Sequence, residues 1–308
     1  MSITTPATSI TTPETGSTMS DQPAPQVGPV TERSLVTEAR YEVVPMKNVD
    51  GQIEHLPAGA SVSVTCSPAK SIEATLELTE RIMARGHLAV PHFAARMVED
   101  RDHVKRLAAY CSEHELREVF LVAGDAPTPH GPYDGVVAFL RDFLDCDHGV
   151  TRIGVAAYPD GHALIDPGVV HEALHTKQAI LGEAGIDGYA STQMCFDLRQ
   201  WTQWAAAERA AGFTLPLHLG VPGVIDRGKL LSMGARLGIG SSMRFAKKNS
   251  GALLRLFSPS GYDPNKMITP LSKVAGELGI EGIHLFTFNN VEATAEWQKR
   301  QLRALNRT

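Results

Sequence analysis

The sequence predicts an α/β fold of the (βα)8 TIM-barrel type, with one barrel domain over residues 36–308. Three observations predict it. Short apolar runs alternate with longer polar-periodic stretches from residue 36 onward. Eight such runs can be counted, and alternation of this kind implies parallel pairing through right-handed crossovers. Gly86, Gly185 and Gly212 stand directly behind helical stretches, where a left-handed residue ends a helix. A doubly wound open sheet is the alternative, since alternation alone does not prove closure.

The elements follow in order. The strands are Arg40–Val44, Ser61–Thr65, Leu88–His92, Val119–Val122, Arg152–Ala157, Gly188–Gln193, Pro216–Leu219 and Gly282–Phe288. Several are nearly continuously apolar, as strands covered on both faces should be. Helical spacing appears in Ser71–Arg85, Arg101–His114, Val169–Glu183 and Leu198–Ala211, with Ser71 and Asp197 as candidate N-caps. The stretch Gly228–Gly279 is long for one unit and is expected to hold two or three helices. Residues 1–35 are rich in Thr, Ser and Pro, carry no Lys or Arg before Arg33, and lack the apolar core of a signal peptide. They read as a disordered tail.

Composition narrows the classes. With 308 residues, 43% of them hydrophobic, the chain can bury the core of a barrel of about 250 residues. A net charge of -5 offers no basic face to nucleic acid. No run of apolar residues is long enough to span a membrane. Cys66, Cys111, Cys146 and Cys195 form no CxxC pair, so neither a thiolate metal site nor a disulfide framework is expected. A reducing, cytoplasmic compartment is the simplest reading. No heptad is legible, so no oligomeric state is assigned.

Barrel enzymes build their sites from the loops after the strands. The polar residues there are Glu42, Thr65, His92, Asp125, Tyr158 with His162, Gln193, His218, and Asn289 with Asn290. One polar residue at a strand end is most often a cap; a set drawn from nearly every strand points to a site. Glu42 lies inside the first strand, in Arg-Tyr-Glu-Val-Val-Pro. An apolar setting there would raise its pKa and suit it to proton donation, whereas pairing with Arg or Lys would make it structural.

Two further motifs compete. His171-Glu172-Ala173-Leu174-His175 spells HExxH on a predicted helix, where His at i and i+4 share a face and could bind zinc as in a metalloprotease. No third ligand lies at the usual offsets, a surface helix is the plainer reading, and no metal is expected. Gly238-Ile239-Gly240-Ser241-Ser242, near Arg244, Lys247 and Lys248, could present amides to a phosphate, or be a helix junction. Trp201 and Trp204 read as packing residues.

The strand ends, taken in order, resemble the methylenetetrahydrofolate reductases. The matching segments are Tyr41-Glu42-Val43-Val44-Pro45, Val62-Ser63-Val64-Thr65, Pro91-His92, Gly124-Asp125-Ala126-Pro127, Ala156-Ala157-Tyr158-Pro159 with His162, Thr192-Gln193-Met194-Cys195-Phe196-Asp197, and His284-Leu285-Phe286-Thr287-Phe288-Asn289. Each is weak alone; seven in order over roughly residues 40–290 are fairly specific. The resemblance implies a cytoplasmic enzyme of one-carbon metabolism and methionine biosynthesis. It would reduce 5,10-methylenetetrahydrofolate to the 5-methyl form. Glu42 becomes the general acid, and Asp125 the carboxylate that stabilises positive charge on the pterin. Gln193 and Asn290 become substrate contacts, and Thr65, His92, Tyr158 and His162 cofactor contacts. NADH or NADPH is the implied electron source.

The sequence departs from the family on the flavin side. Ala123 precedes Gly124-Asp125 where the family carries Arg, and Ala179, Ile180 and Leu181 stand where it has a basic cluster. Lys177 and Lys229 are not at the matching places. A pyrophosphate needs cations or helix amides, so the expectation is a divergent reductase that does not hold FAD tightly. A folate-binding barrel without activity is the remaining alternative.

Overall fold

The computed structural model describes residues 30–226 (apart from 68 and 163), 228, 257–258 and 261–307. Eight parallel strands form its centre: β1 (Arg40–Val43), β2 (Ser61–Val64), β3 (Leu88–Ala94), β4 (Glu118–Val122), β5 (Arg152–Ala157), β6 (Asp187–Thr192), β7 (Leu217–Pro222) and β8 (Ile280–Phe286). Each pairs with the next, and β8 pairs with β1 in the register Arg40↔His284 and Glu42↔Phe286. That last pairing closes the barrel and excludes the open sheet.

The outer helices are α1 (Glu32–Thr37), α2 (Val49–Ile53), α3 (Ile72–Met83), α4 (Arg101–Glu113), α5 (Val136–Leu144), α6 (Pro167–Glu183), α7 (Leu198–Ala210), α8 (Asn265–Leu271) and α9 (Val291–Leu305). Asp197 caps α7 by accepting from the amides of Arg199 and Gln200. Ser71 occupies the N-cap of α3 without a side-chain bond to the backbone. Gly86, Gly185 and Gly212 take φ of +79°, +67° and +94°, the left-handed stops the sequence implied. The glycine-rich stretch with Arg244, Lys247 and Lys248, Lys229, and most of the proposed tail lie outside the described residues. No helix among the described residues is long and apolar enough to cross a membrane.

Most boundaries shift by a residue or two from the sequence reading, and four shifts matter for the site and the core. The tail does not run to residue 35: Thr31 and Ser34 cap α1 reciprocally, and Leu35 and Val36 are fully buried. One and a half helical turns are too short to display a period. Strand β3 continues past His92 to Ala94, so His92 sits within the strand rather than at its end. Strand β7 runs on through Gly220-Val221-Pro222, which places His218 at its N-terminal end. Strand β8 starts at Ile280 and stops at Phe286, two residues short of Phe288. Gly220, just past the expected end of β7, is required by packing: a Cβ there would lie 2.2 Å from the Thr192 carbonyl oxygen.

Two apolar cores result. The larger fills the space between strands and helices and includes Tyr41, Leu78, Phe93, Phe139, Trp201 and Ile283. Trp201 is fully buried and donates to Thr192 Oγ1, and Trp204 packs against the same core, as expected of packing residues. The smaller core lies inside the barrel: Val90, Phe120 and Tyr189, flanked by Val122 and Ala156. Helix surfaces tolerate more. Gly182 lies within α6 with nothing near its missing Cβ. Gly182→Ala is therefore expected to stabilise the fold by about 0.5–1 kcal/mol, read as a raised midpoint in urea unfolding.

The N-terminal end of the barrel is closed by charge. Arg40 pairs with Glu118 at 2.6 Å and also bonds the Tyr189 hydroxyl. Arg152 pairs with Asp187 at 2.8 Å and with Glu281. Both guanidinium groups sit over the Tyr189 ring, at 5.1 and 4.9 Å from its centroid. His218 Nε2 lies 3.1 Å from Glu281 Oε2.

Two buried histidines, His218 in this layer and His92 farther up the barrel, make stability pH-dependent. Burial pushes the His218 imidazole down from 6.5 to about 4. Burial, reinforced by the His284 and Arg40 charges, also holds His92 well below its ordinary value. The unfolded chain therefore binds protons below pH 6.5 that the folded chain refuses, and stability falls as pH drops from 6.5 toward 4. Glu281 acts lower down. Burial would raise its carboxyl, but the His218 hydrogen bond and the Arg152 charge outweigh it and bring the value to about 2. Its contribution is complete above the ordinary 4.5 and is lost as pH falls through 2. Urea unfolding at pH 7.5, 5.5 and 4.5 checks the first window; equal free energies across it would contradict the neutral burial of both histidines.

Candidate active site

Alternation along each strand decides which side chains enter the barrel. On β1 these are Arg40 and Glu42, while Tyr41 turns outward to Gln298 on α9. On β8 the inward positions include His284 and Phe286. The β1–β8 register brings Glu42 and His284 together, with His284 Nε2 2.9 Å from Glu42 Oε2. Glu42 is thus neither an isolated carboxyl in an apolar pocket nor paired to Arg or Lys. Its partner is an imidazole 242 residues away.

His284 is 2% exposed. Its ring lies 6.3 Å from that of His92, 6.4 Å from Phe120 and 5.0 Å from Phe286. His92 rests against Phe120 at 4.7 Å. The neutral His92 carries an Nε2 without a hydrogen-bond partner among the described residues, as does Ser63 Oγ on the neighbouring strand. Glu42, His284, His92 and Ser63 therefore form a polar level above the Phe120–Tyr189 core. A ligand reaching His92 has to enter the barrel rather than rest on its rim.

The second group lies after β4, β5 and β6. Gly124 takes φ +87° and approaches Ala94 so closely that a Cβ would lie 2.8 Å from the Ala94 Cβ. This turn delivers Asp125, exposed, into electrostatic range of Tyr158. Burial first, and the Asp125 charge second, push the Tyr158 phenol up to about 12. Tyr158 therefore keeps its proton and can donate it as a hydrogen bond. The His162 ring stands edge-on to it at 5.1 Å. The Gln193 backbone amide bonds the Ala157 carbonyl, beside Tyr158, and its Oε1 accepts from the Met194 amide. Thr65 is partly exposed behind β2, its amide on the Val43 carbonyl. Asp125 follows β4 and Glu42 lies on β1, three strands away around the barrel.

Other expected members do structural work. Asn290 Nδ2 donates to the Val224 carbonyl and Asn290 starts α9. Asn289 clasps both backbone groups of Val44. His218 belongs to the charged layer at the opposite end. That end opens into a cavity of about 410 Å³ lined by Arg40, Ser61, Glu118, Arg152, His218 and Glu281, whose charges satisfy one another. Lys177 is buried, with Nζ on the Ala156 carbonyl and its pKa lowered to about 8 by burial. The HExxH segment lies on α6, in the outer ring.

Sequence reasoning missed His284, Phe120 and Ser63. Counting back in twos from Phe286 gives His284 the parity of an inward residue, which was the available signal.

No family model matches the chain. Among solved structures, an uncharacterised protein from Clostridium thermocellum that binds two copies of 5-methyl-5,6,7,8-tetrahydrofolic acid superposes with TM-score 0.56 at 14% identity. The match covers 89% of this chain and 99% of that one. A 2,3-dimethylmalate lyase of the PEP mutase/isocitrate lyase superfamily reaches 0.45 at 12% identity, covering 90% and 86%. At 14% identity the likeness to the Clostridium protein is one of fold.

Proposed function

We propose that the barrel binds a reduced folate at the C-terminal mouth and reduces 5,10-methylenetetrahydrofolate to 5-methyltetrahydrofolate. The observation that carries this reading is the Glu42–His284 pair, an acid with a proton-sharing partner inside the mouth. The ordered strand-end resemblance supports it. So does the folate bound by the Clostridium protein of like fold.

Glu42 supplies a proton as the bond between the methylene carbon and N10 breaks, leaving an N5 iminium. His284 Nε2, 2.9 Å from Glu42 Oε2, orients that carboxyl and can share its proton. In this reading Asp125, exposed on the loop after β4, is the carboxylate that stabilises the cationic pterin. Tyr158 and Gln193 are available as hydrogen-bond partners for substrate or co-substrate. A reduced nicotinamide provides the hydride that converts the iminium carbon to methyl, since no side chain can.

The residues present do not fit an FAD pyrophosphate at the positions the resemblance assigns. Ala123 and Ala179-Ile180-Leu181 carry no charge, and the Lys177 ammonium is buried on a carbonyl. In this reading the hydride passes directly from the nicotinamide to the iminium carbon. The test is turnover of methylenetetrahydrofolate with NADH, and separately NADPH, without added flavin. One 5-methyltetrahydrofolate per nicotinamide oxidised is expected, from protein with no yellow absorption. Folate binding without turnover would reduce the proposal to a binding protein; stoichiometric bound flavin would overturn the direct hydride route.

A further inference from the structure

The HExxH segment lacks a third ligand in sequence, and the fold supplies one. On α6, His171 and His175 stand one turn apart with ring centroids 4.4 Å from each other. Both face Glu208 on α7. His171 Nδ1 lies 2.9 Å from Glu208 Oε2 and 3.2 Å from Oε1. His175 Nε2 lies 2.9 Å from Oε2. One ligand atom from each residue falls within a 4.8 Å span.

Burial makes the arrangement unusual. Glu208 is only 6% exposed, and a carboxylate out of water needs a compensating charge. The adjacent Arg209 does not provide it, being spent on the Phe213, Leu278 and Gly279 carbonyls. What faces the carboxylate is two imidazoles, each with a ring nitrogen directed at it.

We propose that His171, His175 and Glu208 bind a divalent transition metal, zinc by preference, and that it clamps α6 to α7. Two imidazoles and a carboxylate are a zinc donor set. Bonds of about 2.0–2.1 Å at tetrahedral angles put ligand atoms about 3.3 Å apart. The histidine-to-Glu208 separations of 2.9–3.2 Å need only a few tenths of an ångström of opening, and all three ligand atoms already lie within 4.8 Å of one another. A cation there satisfies the buried charge and both ring nitrogens. The His171 side chain is 49% exposed, which leaves a solvent route and a fourth position for water. The site stands on the outer ring and does not depend on the folate reading.

The test uses the full chain, stripped with chelator and titrated with Co2+ and then Zn2+. Co2+ is expected to bind once per chain with the strong visible absorption of a four-coordinate ion, and Zn2+ to displace it and raise the melting temperature. In His171→Ala, affinity should fall at least about tenfold and the thermal shift should vanish, while metal-free circular dichroism matches wild type. Glu208→Gln, similar in shape, should behave likewise and guards against a misfolded first variant. Absence of saturable binding to folded wild type overturns the proposal, as does binding unchanged in either folded variant.

Discussion

Glu42→Gln is expected to lower methylenetetrahydrofolate reduction by about 10²–10⁴-fold, the range a positioned general acid contributes, with folate affinity nearly unchanged. The amide keeps the size of the carboxyl and can still meet His284, so the barrel should fold normally. What it cannot do is deliver a proton to the departing nitrogen. Steady-state kinetics and a folate titration on one preparation separate the two effects. Turnover within a factor of a few of wild type would remove Glu42 from the mechanism. His284→Gln adds a second reading: as a positioning residue it should lower kcat more than it raises KM and alter the pH profile, which a purely structural role would not do.

Gly154→Ala is expected to destabilise the fold by about 3 kcal/mol, at or above the upper end of overpacking costs. Gly154 lies on β5 where the interior rings converge. An added Cβ would lie 2.3 Å from Tyr189 Cζ and 2.4 Å from both Phe120 Cδ2 and the Tyr189 hydroxyl. Neither ring can retreat easily. Tyr189 is held by Arg40 and covered by two guanidinium groups, and Phe120 is backed by His92. On propensity alone, alanine should favour a strand over glycine; here packing reverses the sign. Paired with the stabilising Gly182→Ala, it makes a clean contrast in denaturant unfolding. A Gly154→Ala protein as stable as wild type would show that the interior is looser than described.

Much of the mouth was legible because it follows from local signals. Strand ends carry polar residues, and Gly124 before Asp125 marks a turn. Tyr158 and His162 do lie together, and Asp125 is near Tyr158. Misplacements arose where a local signal was ambiguous. His218 looked like a strand-end residue because the expected strand stopped at Leu219, yet close packing on Thr192 and Phe286 makes Gly220 the residue that continues it. Nothing in sequence shows that the Asn290 amide reaches the Val224 carbonyl.

By itself the sequence determined the number of strands, their alternation with helices, the glycine stops and the strand-end positions of Glu42, Asp125 and Gln193. These depend on periodicity and backbone preference within a few residues. Only the tertiary structure decided that β8 closes on β1, that Glu42 meets His284, and that Glu208 faces His171 and His175. The charged layer of Arg40, Glu118, Arg152 and Glu281 is of the same kind. Each joins residues far apart in the chain, and their meeting is set by strand register and helix packing, which no local pattern encodes.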